Sequence, residues 1–202
     1  MMSQQEPRKR GRPKTFEREH VMRVSMMAFW QEGSEAISLN DVCKRAGVSR
    51  PSLYREFGGE DGLLAASLQK YFEVAFVPIF KTLESDEPFQ VTLKNFTAKM
   101  TGDRADKAIP EGCLLVKMRS AVSQIGPETA KAINTVHAWK LNAYANWIDR
   151  CKKNGTLMSD TDTELLAAYI DAQMNLTMMR DARGDDRAMS REILRLALAN
   201  LV

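Results

Sequence analysis

Ser38-Leu39-Asn40-Asp41-Val42-Cys43-Lys44-Arg45-Ala46-Gly47-Val48-Ser49-Arg50-Pro51-Ser52-Leu53-Tyr54-Arg55-Glu56-Phe57 is the stretch that decides the fold. Leu39, Val42, Cys43 and Ala46 recur at helical spacing and give a first short helix one apolar side. Ser38 stands where it caps that helix, with Asp41 as the reciprocal acid of a capping box. Gly47 supplies a left-handed backbone position that a residue with a Cβ adopts only at a cost. Val48 and Leu53 fill the angle between the two helices. Ser49 or Arg50 caps the second, Pro51 sits just inside its first turn, and Gly58-Gly59 ends it. Arg50, Ser52, Tyr54 and Arg55 are left pointing outward. This is the layout of a helix-turn-helix whose second helix enters the major groove of duplex DNA. The plainer reading is a helical hairpin with a solvated basic face; agreement of turn, caps and apolar spacing favours the former.

Upstream, Arg8-Lys9-Arg10-Gly11-Arg12-Pro13-Lys14 has no apolar residue to pack and reads as a mobile basic arm over residues 1–15. Its Arg-Gly-Arg-Pro core resembles the AT-hook. That resemblance implies Arg10 and Arg12 in a narrow A/T-rich minor groove, with Lys14 beside them. The alternative is non-specific attraction to phosphates.

The 202 residues suffice for a real core and one or two domains. Net charge is only +3, but residues 1–58 hold 11 Lys and Arg against 7 Asp and Glu, so the positive excess lies at the proposed DNA end. Three Cys without close pairing predict a reducing cytoplasm rather than a disulfide framework. Neither a signal peptide nor an uninterrupted apolar run of membrane-spanning length is evident, so no membrane partner is expected.

Taken together, Gly11-Arg12-Pro13-Lys14-x-Phe16, Ala28-Phe29-Trp30-x-x-Gly33, Ser38-Leu39-x-Asp41-Val42, Ala46-Gly47-Val48-Ser49 and Ser52-Leu53-Tyr54-x-x-Phe57 resemble the TetR family of bacterial transcriptional regulators. The close resemblance covers residues 11 to about 68; Gly112-Cys113-Leu114-Leu115-Val116 also looks like a segment of some members. There are departures. Cys43 stands where the family has a small residue. Gly58-Gly59-Glu60-Asp61 replaces the family's Gly-Ser-Lys-Glu, whose Lys touches a phosphate; an acid cannot make that contact. Glu60 and Asp61 suit the positive end of the next helix, whereas Gly62 weakens its start.

Apolar periodicity predicts an all-α chain. The expected helices run over about 17–32, then the two short helices within 38–57, from 60 onward with a kink or stop at Pro78, 88–100, 112–125, 128–153, 162–182 and 186–201. A three-helix DNA-binding domain (16–62) would precede a helical effector-binding and dimerisation domain (63–202). In the first, Arg50, Ser52 and Arg55 are candidates for base edges or nearby phosphates and Pro51 for a thymine methyl; Ser38 and Ser49 lie at the DNA-facing helix starts. Lys44 is a candidate phosphate anchor, and Tyr54 matches the family's phosphate-contacting Tyr.

The last two helices carry more apolar surface than one core-facing stripe needs. Leu166, Tyr169, Ile170, Leu176, Met189, Ile193 and Leu196 are therefore expected in a homodimer interface. The family resemblance implies a four-helix bundle there; two heads roughly 34 Å apart then match a palindromic operator. The resemblance also implies a small-molecule effector cavity. Its candidates are Phe76, Phe80, Phe96, Met100, Cys113, Met118, His137, Trp139, Leu141 and Tyr144, with packed core as the alternative for any one of them. Cys113 opens a helix, where the dipole favours a thiolate, and some relatives sense electrophiles or oxidants through cysteine; a buried structural thiol is the alternative. Cys43, Cys113, Cys151, His20 and His137 lack metal-ligand spacing, so no metal or other cofactor is expected. No phosphate-cradling loop, His-Glu-x-x-His or nucleophile elbow suggests an enzyme. A sequence-tolerant architectural DNA binder without an effector is the second reading.

Overall fold

The computed structural model describes residues 17–102, 109–120 and 125–201. Among them the regular structure is entirely helical. The first unit is α1 (Arg18–Glu32), α2 (Leu39–Ala46) and α3 (Arg50–Phe57). Its local rules hold as the sequence dictates. Ser38 accepts from the Asp41 amide and Asp41 answers the Ser38 backbone, completing the capping box. Gly47 is left-handed at φ 66°, and Ser49 accepts from the Ser52 amide at the start of α3. Leu53 is fully buried beside Val42, Ala46 and Phe29 in one continuous core. Truncating such a residue to Ala costs about 2–5 kcal/mol. Exposed pairs Arg18–Glu56 (3.0 Å) and Arg45–Glu32 tie α1 to α3 and α2.

α4 (Glu60–Tyr71) runs on through a π-helical turn (Phe72–Phe76), α5 (Val77–Phe80) and a 3₁₀ turn (Lys81–Glu84). The expected break at Pro78 is thus a wide turn rather than a stop. The Val77 amide reaches back to the Phe72 carbonyl, one residue further than in an α-helix, and the ring of Pro78, which cannot donate, follows at once. By length and composition this helix is apolar enough to cross a bilayer. Its Leu63, Leu64 and Leu68 are instead buried inside the globule, against α1 and α8. Ser25 of α1 and Ser67 of α4 share a buried 2.7 Å hydroxyl contact, and their small side chains let the two helices approach closely.

α6 (Phe89–Thr101), α7 (Leu114–Ser120), α8 (Pro127–Lys153), α9 (Thr163–Ala182) and α10 (Arg187–Leu198), with a 3₁₀ turn (Ala199–Leu201), complete the fold. α8 packs on both α4 and α9, and α10 on α9. α7 begins at Leu114, later than the sequence suggested, because Gly112 bends the chain at φ 73°. A Cβ there would lie 2.6 Å from that of Ala182. Between α8 and α9, Lys140 and Asp171 are both almost fully buried, 2.6 Å apart as an ion pair not aligned as a hydrogen bond. Asn175 bridges them, donating to Asp171 (2.8 Å) and accepting from Lys140 (3.2 Å).

Candidate nucleic-acid interface and cleft

The start of α3 presents Arg50, Pro51, Tyr54 and Arg55 to solvent, with Ser49 exposed at its cap and Ser52 half-buried. Lys44 on α2 and Ser38 at its cap are exposed on the same unit. Arg50 donates to the Tyr54 hydroxyl (3.3 Å) and its guanidinium lies 5.4 Å from the centre of that ring. Two planar groups that suit phosphate and base edges are thereby pre-ordered one helical turn apart. Arg50 shares a surface groove of about 450 Å³ with Ser38, Asn40 and Glu60. Cys43 is buried in the core beneath; burial pushes its thiol pKa up, with Arg50 opposing, which disfavours a reactive thiolate. Arg10, Arg12 and Lys14 lie outside the described residues.

A larger cleft, about 790 Å³, opens beside the π-turn. Phe76, Met100 and Cys113 line it, as the sequence suggested. The rest of the expected set does not. Phe80 and Trp139 border a separate groove of about 310 Å³ on the far side of α5. Phe80, Phe96 and Tyr144 pack as an aromatic cluster with centroids 5.1–5.7 Å apart, which makes them core. Met118 is buried, and Leu141 lines none of these recesses. His137 is half-buried 3.5 Å from Asp171, with Arg119 at 3.5 Å. Burial lowers its pKa; Arg119 and Lys140 add to the shift while Asp171 opposes it.

What replaces them comes in part from the DNA-binding unit itself. Met26, Met27 and Trp30 of α1 form one wall, Tyr71, Ala75 and Ile79 a second, and Met178 of α9 closes the end. Their sulfurs and rings make an adaptable apolar surface. Lys99, at the rim, is held by the Thr82 hydroxyl at 2.8 Å. Trp30 donates its indole N–H to the Gly112 carbonyl (3.1 Å), and Lys117 donates to the Trp30 carbonyl (2.6 Å). The cleft, Cys113 and the end of α1 are thus bolted together. Burial lowers the pKa of Lys117, with Cys113 and Glu111 opposing. Among the described residues no three His, Cys, Asp or Glu gather as a metal site.

The last helices divide differently from expectation. Leu166 and Ile170 face the chain's own core and are buried. Tyr169, Leu176, Met189 and Leu196 are exposed, joined by Leu165, while Ile193 is half-buried. Tyr169 donates to the Ala197 carbonyl (2.8 Å), so the α9–α10 face is a fixed apolar surface.

A capped helix-turn-helix on a larger helical body is the architecture of a DNA-binding regulator. Comparison with known proteins agrees. Residues 21–67 match the bacterial regulatory proteins of the tetR family, and residues 91–195 match the tetracyclin repressor-like C-terminal domain. The chain belongs to the TetR family of DNA-binding transcriptional regulators. It is 27% identical over 163 residues to the HTH-type transcriptional repressor ComR of Escherichia coli, covering 80% of this chain and 78% of that one. It is 32% identical over 88 residues to the repressor BdcR of the same organism, covering 44% and 45%. Its fold is similar to a cysteine-substituted TetR family regulator, CifR, solved with 26-base-pair operator DNA. There the TM-score is 0.80 at 22% identity, covering 95% of this chain and all of the other.

Proposed function

We propose that this protein is a homodimeric repressor that binds a palindromic operator and leaves it when a small molecule fills the cleft or when Cys113 is modified. Residues 1–15 form its DNA-reaching arm, 16–62 the reading head and 63–202 the sensing and dimerising body, acting on DNA in the cytoplasm. Arg50, Ser52 and Arg55 read base edges, Pro51 meets a thymine methyl, Tyr54 and Lys44 hold phosphates, and Arg10 and Arg12 enter the minor groove. The exposed α9–α10 face supports pairing of two copies, because a fixed apolar surface of this kind is costly to leave in water. The observation that carries the regulatory reading is the origin of the cleft walls: α1 belongs to the reading head and α9 to the pairing face, so an occupant touches both. An occupant favours release only by binding the released form more tightly.

The test has two parts. Duplexes selected from a random library and footprinted should show a short two-fold symmetric site; protection that merely follows A/T content would establish the architectural reading instead. A variant retaining Cys113 alone is then treated with N-ethylmaleimide, and the wild type with the neutral apolar dye N-phenyl-1-naphthylamine. Either treatment should weaken operator binding, and Cys113→Ser should abolish the maleimide effect. Operator affinity unchanged by both reagents, with binding or alkylation confirmed, refutes the release mechanism.

A further inference from the structure

α8 starts without a cap of its own. Gly126 at its N-cap has no side chain, and Pro127 offers no amide. The missing cap comes from the far side of the reading head. Asp61, the second residue of α4, accepts from the Glu128 amide at 2.8 Å through one oxygen and from the Thr129 amide at 3.0 Å through the other. The Thr129 hydroxyl, fully buried, donates to the Asp61 carbonyl at 3.0 Å. Burial alone would raise the carboxyl's pKa; hydrogen bonds from Thr129 and from the amides at 126, 128 and 129 more than offset it and keep the group ionised.

Two glycines make this approach possible. Gly126 has an ordinary φ of −80°, so any residue fits its backbone, yet a Cβ there would overlap the Asp61 carboxylate. A Cβ on Gly62 would run into the Phe57 carbonyl at the end of α3 and lie 3.1 Å from the Glu128 carboxylate. Gly62, which costs α4 helix propensity, thus lets α3, α4 and α8 meet at one point. From there α8 packs on α9, which carries the exposed apolar face.

We infer that Asp61 is the positioning residue that fixes each reading head relative to the dimer axis, and so sets which half-site spacing the protein accepts. This rests on the homodimeric reading. Asp61 adds nothing apolar to the core beneath α3, where Leu53, Phe57, Val42 and Phe29 are buried. What the contact adds is the angle at which α3 leaves the body. The head is also joined to the body through α1, which packs on α4 at Ser25 and Ser67 and bonds Gly112 through Trp30, but these contacts are made by α1 and not by the recognition helix.

The test uses the selected operator and versions of it with one base pair added or removed between half-sites. One base pair moves a half-site by about 3.4 Å along the duplex and rotates it about the axis. Wild type should lose at least about thirtyfold in affinity on either change. Asp61→Ala and, from the other side of the contact, Gly126→Ala should both flatten that loss to less than about fivefold while binding a single half-site within about twofold of wild type. Asp61→Asn, which keeps an acceptor, should fall between. Variants that lose thermal stability yet discriminate spacing as sharply as wild type would show a merely structural cap and overturn the inference. Loss of half-site binding in both variants would overturn it too, by making the contact part of the head's own fold. A wild type indifferent to spacing would instead fail the dimeric reading, and the inference with it.

Discussion

Replacing Lys140 by Met should be the most damaging single change in the body that removes no apolar group. Lys140 is 2% exposed and Asp171 3%. The ammonium has Asp171 at 2.6 Å, Asn175 at 3.2 Å and the Phe76 ring centre at 5.5 Å. Met keeps most of the stem but leaves Asp171 buried without its cation, with Asn175 donating to it and the half-buried His137 at 3.5 Å. Removing one member of a buried pair costs about 3–5 kcal/mol, because the survivor keeps its desolvation penalty. For a chain of about this length each kcal/mol lowers Tm by roughly 2–4 °C, so a fall of about 6–20 °C is expected. Lys140→Met/Asp171→Leu removes both charges and should return most of the loss, to within about 2 kcal/mol of wild type. Urea unfolding followed by tryptophan fluorescence measures all three proteins, at one protomer concentration because pairing contributes to apparent stability. A single variant within about 1 kcal/mol of wild type would mean the pair is hydrated in solution. A double variant as unstable as the single would mean the damage is not electrostatic.

Glu60→Lys should tighten operator binding, by about fivefold to tenfold for the dimer, and steepen its salt dependence, since an acid now shares the Arg50 groove; affinity that is unchanged or weaker would place Glu60 away from the phosphates. Lowered by burial from the ordinary 6.5, the His137 pKa makes the folded state bind fewer protons than the unfolded chain just below that value. Stability is therefore complete above about pH 6.5 and declines as pH falls toward the folded-state value. Unfolding free energies between pH 5 and 7.5 should be flatter in His137→Gln, and parallel curves would remove His137 as the cause. Leu176→Asp with Leu196→Asp should give a monomer in sedimentation and abolish full-operator binding while the helical circular dichroism is kept; a dimer surviving both changes would move the interface off this face.

The reading head was legible because its determinants are local. Ser38 and Asp41, Gly47, Ser49 and Pro51 each act within three or four residues of themselves, and the structure carries out each of those instructions. The cleft was not legible in the same way. Periodicity tells which residues of a helix are buried, not which helix they meet. Phe80, Phe96 and Tyr144 carry the same signal as Phe76, but they pack on one another while Phe76 meets the recess. Nothing local marks Met26, Met27 and Trp30 of α1 as cleft residues, and only tertiary packing turns them toward Met178. The same limit applies to α9, whose apolar arc did not reveal that Leu166 and Ile170 turn inward. Asp61 read as an acid suited to its own helix start; its partners lie 67 and 68 residues further along the chain.

Met26 is at once part of the core that holds up the recognition helix and part of the cleft wall. Under the proposed release mechanism, tuning the protein toward a new inducer means editing the scaffold of its own DNA reader. Changes that enlarge the recess at Met26 or Trp30 will carry a toll on promoter occupancy, and those at Ala75 or Met178 should be the freer ones. An engineer who transplants residues 16–62 onto another member's body will carry away one wall of the cleft with them.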